Sequence, residues 1–294
     1  MQRVGVVGLG IMGTAFSANL LRRGFEVIGY DIAGDRMTVL EAAGGSPVGS
    51  PSAVADKSDI LITSLPSVAA LEEVVAGSQG LAGRARAGLI VAEMSTLPLD
   101  AKESARAALE SRGAAVLDAP VSGTGLQAAA AEVVIYASGE PETIGRAMPV
   151  FDALGRQTFD VGEFGNGSKM KYLANLLVSV HNLATAEALV LGMKAGLDPQ
   201  EVLDVLSAGV GSSRMLEIRG PMMVAGTYEP AAARLSMFIK DVGVISEFAR
   251  RLEVPTPLLD ASRPWYEEAV EAGLGSQDAA ALCSLLEKRA GITR

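Results

Sequence analysis

Lys171 and Asn175 stand one helical turn apart at the start of a long apolar segment, in the stretch GNGSKMKYLANLL. A lysine amine in that position can give or take a proton, because two effects disfavour its charged form. Partial burial penalises an unpaired ammonium, and the helix dipole opposes a positive charge in the first turn. We therefore expect the pKa of Lys171 to be lowered toward values that suit acid/base chemistry. The alternative is a solvated lysine in the first turn of a helix.

A line of polar residues continues from this pair. Lys171, Asn175, Ser179 and Asn182 follow one another at intervals of four, four and three residues, which places them on one side of a helix that is otherwise largely apolar. A helix that is apolar on most sides is a central one, so we expect the line to border a cleft or another polar element. The lone histidine, His181, lies about 80° away around the helix, and we interpret it as a packed, structural residue.

Three glycines near the start of the chain form a second candidate site. Gly8, Gly10 and Gly13 follow a β-rich run, RVGVVG, and open a helical pattern. Gly8 permits a tight turn, Gly10 lets the backbone approach a pyrophosphate, and Gly13 lets the helix pack against the strand. The start of the helix, with Ile11 and Met12, faces the phosphates with free N–H groups. A glycine-rich turn without a ligand is the alternative.

An aspartate at the end of the second strand bears on the choice of cofactor. Asp31 closes the run EVIGYD, 18 residues after Gly13. A carboxylate there can accept hydrogen bonds from the adenosine ribose and would repel a 2′-phosphate, which favours NAD over NADP. Two alternatives oppose this preference for NAD. Asp31 could serve merely to cap the following turn, and Arg36 lies near enough in the sequence to attract a phosphate.

Alternating strands and helices must position these residues. Strand patterns occupy residues 3–8, 26–31, 59–65, 89–94, 114–120 and 132–138. Their spacing predicts a parallel sheet with crossover helices. From Ser168 onward the pattern predicts helices alone, over residues 168–195, 199–208, 236–252, 257–272 and 277–289. We therefore expect an α/β chain of two domains, residues 1–162 and 163–294.

Composition excludes several classes of function. The net charge of −9, with no long basic run, argues against a nucleic-acid partner. The single cysteine, Cys283, cannot form an intramolecular disulfide, which favours the cytoplasm. The chain has no uninterrupted apolar span of about 18 residues and no signal-peptide pattern, so we expect no membrane helix.

Several short motifs occur together in a fixed order. They are GLGIMG (8–13) followed by Asn19-Leu20, ITSLPS (62–67), MST (94–96), DAPVSG (118–123), Gly165-x-Gly167-x-x-x-Lys171-x-x-x-Asn175, and Lys240-Asp241 in FIKDVG. This set resembles the β-hydroxyacid dehydrogenase family over essentially the whole chain. The family includes 3-hydroxyisobutyrate dehydrogenases, tartronate semialdehyde reductases, L-threonate dehydrogenases and glyoxylate/succinic semialdehyde reductases.

The resemblance implies a Rossmann-type domain joined by the long helix to an all-helical domain, with the active site between them. Lys171 would be the acid/base that moves the proton of the substrate hydroxyl. Asn175 would hold the substrate or Lys171 by hydrogen bonding. Ser122 and Gly123, with Thr124 as a further contact, would bind the substrate carboxylate.

The same resemblance implies contacts to the cofactor. Leu65, Pro66 and Thr96 would line it. Lys240 would close on the site beside the nicotinamide end, and Asp241 would support that region. Without the resemblance, Lys240 and Asp241 read as an ordinary solvated pair.

Two positions depart from the family pattern. Thr124 stands where the family usually has a second glycine, and its side chain could narrow the carboxylate pocket or add a hydroxyl contact. Ala131 stands where the family has a further glycine. If that position needs a positive φ, alanine is strained there; otherwise the loop has changed shape.

Together these features predict an NAD-dependent dehydrogenase of a small 3-hydroxy acid, able to reduce the matching semialdehyde or keto acid in reverse. NADP is the less favoured cofactor, and no metal is expected. The helices of the second domain cannot bury all of their apolar surface alone, so we expect a homodimer or homotetramer. The alternatives are an imine reductase on the same fold and a non-catalytic nucleotide-binding regulator.

Overall fold

The computed structural model describes residues 2–293, which form two compact units. One unit runs to Lys171 and the other begins at Tyr172. This division falls inside a long helix. The boundary that we infer from the sequence, between residues 162 and 163, falls in the loop before that helix.

The described part of the first unit contains nine strands. They are β1 (Arg3–Val7), β2 (Glu26–Tyr30), β3 (Ser46–Pro47), β4 (Ile60–Thr63), β5 (Ile90–Glu93), β6 (Ala115–Asp118), β7 (Val121–Ser122), β8 (Val133–Ala137) and β9 (Gly155–Asp160). Six of them form a parallel sheet in the order β3-β2-β1-β4-β5-β6. The order reverses between β1 and β4, which is where sheets of this kind bind ligands at the carboxyl ends of their strands.

Helices cover both faces of this sheet. They are α1 (Ile11–Arg22), α2 (Gly34–Ala42), α3 (Pro51–Lys57), α4 (Val68–Ala76), α5 (Leu99–Glu110), α6 (Gly125–Ala129) and α7 (Pro141–Leu154), with a 3-10 turn at Leu81–Gly83. The central strands are apolar on both sides, because successive side chains point to opposite faces. On β4, for example, Ile60 and Ile62 join the core on one face and Leu61 joins the core on the other.

A smaller sheet of three strands completes this unit. β7 pairs antiparallel with β8, and β8 pairs parallel with β9. The predicted strand over 132–138 is therefore present as β8, but it lies outside the main parallel sheet. The sequence patterns do not predict β9, because GRQTFD is mostly polar and largely exposed.

The second unit is helical. Its helices are α8 (Asn166–Lys194, of which the first six residues belong to the first unit), α9 (Pro199–Ala208), α10 (Arg214–Ala225), α11 (Leu235–Arg251), α12 (Pro257–Ala269) and α13 (Leu282–Arg289). The sequence patterns miss only α10 among these six. Gly220 and Pro221 lie inside it and are typical helix breakers. A Cβ at Gly220 would collide with the end of the Leu203 side chain of α9, which would have to shift.

The line of polar residues on α8 is largely buried. Asn182 donates to the hydroxyl of Tyr266 at 3.1 Å and accepts from Arg219 at 3.1 Å, and Tyr266 donates to the carbonyl of Ser179 at 2.8 Å. The predicted polar neighbour of this line is therefore Arg219 with Tyr266. By length and composition alone α8 could cross a membrane, but a buried core helix passes the same test.

The apolar core of the helical unit includes Cys283, which is fully buried. The same core also contains Leu189, Tyr266 and Leu282. The thiol also lies 3.5 Å from Glu287 Oε1, one turn further along α13.

Candidate functional site

The glycine loop joins β1 to α1 at the carboxyl edge of the parallel sheet. Gly8 has φ +91°, a conformation that only glycine adopts readily, and a Cβ at this position would collide with the carbonyl of Ser64. A Cβ at Gly13 would collide with the carbonyl of Gly8. Gly10, in contrast, has no heavy atom within 4 Å of where its Cβ would lie, so the space beside it is open. Among the described residues, no side chain forms a capping hydrogen bond at the start of α1. The first helical residue, Ile11, therefore begins an uncapped helix.

Asp31 is bound to the backbone on both sides. Its Oδ2 accepts from the Leu9 amide at 2.7 Å, and its Oδ1 accepts from the Ala33 amide at 2.8 Å. The second contact is the turn cap that the sequence left open as an alternative. Each carboxylate oxygen has two acceptor sites, so Asp31 keeps capacity for ribose hydroxyls. Arg36 lies 3.8 Å from the carboxylate of its neighbour Asp35.

The residues expected to line the cofactor follow the next two strands of the sheet. Leu65 and Pro66 come directly after β4, and Thr96 comes shortly after β5. The amide of Leu65 donates to Ser95 Oγ at 2.8 Å, which links the two loops. These residues therefore share the carboxyl edge with the glycine loop and Asp31.

The expected carboxylate-binding residues lie between β6 and α6. Ser122 belongs to β7, and Gly123 has φ +153° with Val133 closely packed where a Cβ would be. Thr124 caps α6: its Oγ1 accepts from the Gln127 amide at 3.4 Å, while its own amide donates to Gln127 Oε1 at 2.9 Å. The amide of Thr124 is therefore already used in a hydrogen bond. Its hydroxyl is the donor that it could offer to a substrate.

The turn after α6 contains the second position that departs from the expected pattern, Ala131. Ala131 has φ +56°, so an alanine occupies a left-handed position that favours glycine. Asn19 of α1 holds this turn by donating to the Ala128 carbonyl at 2.7 Å, and Arg22 donates to the Ala129 carbonyl at 2.9 Å. The helix that follows the glycine loop thus also anchors the turn at the end of α6.

The start of α8 is fixed by the motif that precedes Lys171. Gly165 has φ +93°, and a Cβ at Gly167 would lie 2.7 Å from the Asp118 carbonyl. Ser168 donates to Asp118 twice, from its amide at 2.7 Å and from its hydroxyl at 2.8 Å. Because α8 begins at Asn166, Lys171 is its sixth residue and lies in the second turn. The helix dipole acts mainly within the first turn, so that part of our expectation is wrong; partial burial of Lys171 is observed.

In the helical unit, α8 and α11 bring three expected site residues together. Asn175, which is 9% exposed, donates from Nδ2 to Asp241 Oδ2 at 2.8 Å. Lys240 Nζ forms an ion pair with the other oxygen, Asp241 Oδ1, at 3.1 Å. Asp241 therefore holds both neighbours, so Lys240 and Asp241 are not a solvated pair: their side chains are 25% and 18% exposed.

A buried ion cluster lies beneath the carboxyl edge of the sheet. The sequence patterns do not predict it. Lys102 of α5 is wholly buried, and its Nζ lies 2.6 Å from Glu93 Oε2 and 2.8 Å from Asp118 Oδ1. Burial alone lowers the pKa of Lys102, but the two carboxylates outweigh it and raise the pKa above its ordinary value. We call Glu93, Lys102 and Asp118 the ion triad. Nothing in the sequence around Lys102 distinguishes it from an exposed helical lysine.

A small cavity adjoins the ion triad, and the described residues contain no metal-binding cluster. Among residues 2–293 no three His, Cys, Asp or Glu side chains lie close enough to hold a metal ion. A cavity of about 10 Å³ adjoins Glu93 and Lys102 and is otherwise lined mainly by apolar side chains of the core. It is at the lower limit of the space that one water needs.

Two family models match the chain. Residues 3–162 match the NAD binding domain of 6-phosphogluconate dehydrogenase. Residues 165–286 match the NAD-binding domain of NADP-dependent 3-hydroxyisobutyrate dehydrogenase.

Two characterised relatives match over almost their whole length. L-threonate dehydrogenase of Cupriavidus necator is 34% identical over 285 residues, which cover 97% of this chain and 96% of the relative. NAD-dependent L-serine dehydrogenase of Pseudomonas aeruginosa is 29% identical over 297 residues, which cover 99% of this chain and all of the relative.

Solved structures show the same architecture. 3-Hydroxyisobutyrate dehydrogenase from Salmonella typhimurium superimposes with a TM-score of 0.88 and 31% identity, over 97% of this chain and 100% of that one. An imine reductase from a Pseudomonas species is more distant, with a TM-score of 0.64 and 21% identity over 97% and 99% of the two chains. At that identity the likeness extends to the fold alone.

Proposed function

We propose, from the premise that this chain belongs to the β-hydroxyacid dehydrogenase family, that Lys171 is the acid/base of an NAD-dependent oxidation of small 3-hydroxy acids. The members that this chain matches are dehydrogenases of hydroxy acids that use NAD or NADP. The observation that carries the assignment of roles is the shared carboxyl edge. The strand order of the sheet reverses at this edge. Four of the expected cofactor contacts lie along it: the glycine loop, Asp31, Leu65 and Thr96.

The residues at this edge fit a dinucleotide. Gly10 leaves open space at the uncapped start of α1, where N–H groups and the helix dipole favour a pyrophosphate. Asp31 retains acceptor capacity for the ribose, and its charge disfavours a 2′-phosphate. A bound nicotinamide ring would supply the acceptor for the hydride of the hydroxyl-bearing carbon. We therefore propose NAD as the preferred cofactor, with Gly8, Gly10, Ile11, Met12, Gly13, Asp31, Leu65, Pro66 and Thr96 as its contacts.

The substrate carboxylate is assigned to the loop after β6. Ser122 offers a hydroxyl, and Gly123 offers a backbone amide on an exposed turn. Thr124 adds only its hydroxyl, because its amide already donates to Gln127. Holding the carboxylate fixes the position of the hydroxyl-bearing carbon, which is the main way in which binding groups accelerate such a step.

Lys171 moves the proton. In the oxidation, its neutral amine takes the proton from the substrate hydroxyl, and in the reduction its ammonium returns a proton to the carbonyl oxygen. Asn175, one turn further along the same helix, orients the substrate. Asp241 fixes the amide of Asn175 and the ammonium of Lys240, which supports roles for all three in the same site.

The first test removes the amine. Lys171→Ala should abolish turnover of a panel of 3-hydroxy acids, followed as cofactor reduction at alkaline pH, while NADH binding measured by fluorescence stays nearly unchanged. Lys169→Ala is the matched control, because Lys169 lies on the same helix, is exposed and donates a hydrogen bond to Asn166. Near-normal activity of Lys171→Ala would show that another group moves the proton.

The same assay separates the alternatives. The panel is run with NAD and with NADP, and reduction of cyclic imines is measured beside it. A large advantage of NADP would overturn the NAD preference. Imine reduction without oxidation of hydroxy acids would support the imine reductase. Cofactor binding without any turnover would support a regulator.

We also propose that the protein is a cytoplasmic homodimer or homotetramer. An exposed apolar stripe on α8 supports self-association: Leu173, Leu177 and Leu191 are 55%, 52% and 72% exposed and lie on one side of the helix. Light scattering should give a mass above that of one chain, and Leu177→Glu should lower it. A wild-type mass of about 30 kDa, which is that of one chain, would contradict this proposal.

A further inference from the structure

Lys102 is unusual for a lysine because its whole side chain lies in an apolar core. Its ammonium is 0% exposed, and the core around it includes Leu71, Val91 and Leu109. Taking an ammonium and two carboxylates out of water is unfavourable, and well-packed apolar residues often stabilise a core as well as such a pair does. The position of the ion triad therefore calls for an account other than stability alone.

One carboxylate of the triad connects Lys102 to the loop expected to line the cofactor. Glu93 Oε2 faces Lys102, and Glu93 Oε1 accepts from the Ser95 amide at 2.9 Å. Ser95 Oγ in turn accepts from the Leu65 amide at 2.8 Å. The loops after β4 and β5 are thus held in register by a chain of contacts that ends on the lysine.

The other carboxylate connects Lys102 to the helix that carries Lys171. Asp118 Oδ1 accepts from Lys102 Nζ and from Ser168 Oγ, both at 2.8 Å, and Oδ2 accepts from the Ser168 amide at 2.7 Å. The Gly167 amide donates to Ser138 Oγ at 3.0 Å, and Ser138 donates to the Asp118 carbonyl at 3.0 Å. Lys171 follows Ser168 by three residues on α8, so this turn sets where its side chain begins.

We propose that Lys102 is a positioning residue for the reaction: through Glu93 it holds the cofactor loop at Leu65, and through Asp118 it holds the first turn of α8. It contacts neither the substrate nor the cofactor. This inference rests on the proposed function, since it takes Leu65 and Lys171 as site residues. It also assigns different effects to the two carboxylates, which a purely structural ion cluster would not have.

The test measures each branch separately. Glu93→Gln keeps the shape of the side chain but weakens the cofactor branch, so the KM for NAD and the dissociation constant of NADH should rise on the order of tenfold, with a smaller change in kcat. Asp118→Asn weakens the α8 branch, so kcat should fall on the order of tenfold with NADH binding nearly unchanged. Lys102→Met should combine both effects, and Lys102→Arg should restore part of each.

Leu109→Ala is the matched control. Leu109 lies on the same helix, is 1% exposed and lines the same cavity, but its apolar side chain forms no ion pair or hydrogen bond in the ion triad. It should lower thermal stability without separating KM from kcat. If Lys102→Met does not fold, Glu93→Gln and Asp118→Asn decide the question.

Amide hydrogen exchange of residues 64–65 and 166–171 gives a readout that does not depend on turnover. We expect faster exchange in both segments of Lys102→Met but not in those of Leu109→Ala. This result is expected even if the wild type oxidises no 3-hydroxy acid. In that case the proposed function fails and the positioning role of Lys102 stands. Variants of the triad that lose thermal stability with unchanged KM, kcat and exchange in these segments would show that the cluster is only structural.

Discussion

Asp31 shows how one residue can serve a fold and a ligand together. Its two oxygens accept from the amides of Leu9 and Ala33, so it shapes the glycine loop before any cofactor arrives. The sequence pattern leaves two readings for this residue, a turn cap and a ribose contact. The geometry is compatible with both, because a carboxylate has about four acceptor sites.

Ala131 is a residue at which the chain is strained. Replacing it with glycine should stabilise the fold by about 0.5–1 kcal/mol, because a left-handed alanine costs more than the added freedom of glycine in the unfolded chain. Urea denaturation measures the change. Ala130→Gly is the control: its φ is −86°, so glycine should bring no gain there. Equal effects of the two substitutions would contradict the strain at Ala131.

At the scale of elements, α8 depends on how tightly its first turn meets the ends of β6 and β8. Gly167→Ala would place a methyl group 3.0 Å from Pro120 Cδ and closer still to the carbonyls of Asp118 and Tyr136. We expect a loss of about 1–3 kcal/mol in stability, together with lower turnover because the turn before Lys171 must shift.

Gly145→Ala provides the comparison for this substitution. Gly145 lies inside α7 with open space around it, so alanine should stabilise the helix by about 0.5–1 kcal/mol. Thermal melting and turnover are measured for both variants. An undisturbed Gly167→Ala protein would mean that the start of α8 tolerates displacement.

Helices and strands could be predicted from the sequence where the local pattern of apolar residues agrees with the tertiary structure. The strands β1, β2, β4, β5, β6 and β8 and the long helix α8 follow from apolar runs bounded by glycine and proline. The helix α10 could not be predicted, because it contains Gly220 and Pro221, residue types that usually interrupt helices. For the site, the glycine loop is visible as a motif. Lys102 is not, because its partners lie 9 and 16 residues away in the chain and meet it only in the fold.

At the scale of the whole molecule, each unit contains a buried cluster of polar and charged groups. The first unit has the ion triad, and the second has Arg219 beside Asp278, with Asn182 and Tyr266 hydrogen-bonded around it. Burial lowers the pKa of Arg219, and the charge of Asp278 opposes that effect. Such clusters specify one arrangement of helices, because each group left unpaired would cost about 1–3 kcal/mol.

Tyr266 gives the second unit a dependence on alkaline pH. Burial raises the pKa of Tyr266 to about 12, and the hydrogen bond from Asn182 and the charge of Arg219 offset part of that rise. Because the folded state favours the neutral phenol, this stability is complete below pH about 10 and is lost as pH rises through about 12. The denaturation midpoint of the wild type should therefore fall over this range.

Tyr266→Phe isolates this effect from other groups whose pKa differs between the folded and unfolded states, including Lys102. The variant should lose about 1–3 kcal/mol at neutral pH, since the carbonyl of Ser179 loses its donor. Its stability should then depend less steeply on pH between about 10 and 12 than that of the wild type. Parallel curves for the two proteins would rule out Tyr266 as the titrating group.

The lone sulfhydryl of the chain, on Cys283, is sealed inside the helical core. A maleimide dye should therefore leave the native protein unmodified and react only as that core opens, so labelling speed becomes a clock for local unfolding. For the same reason, a cysteine introduced at an exposed position would be the single reactive handle for attaching a spectroscopic probe.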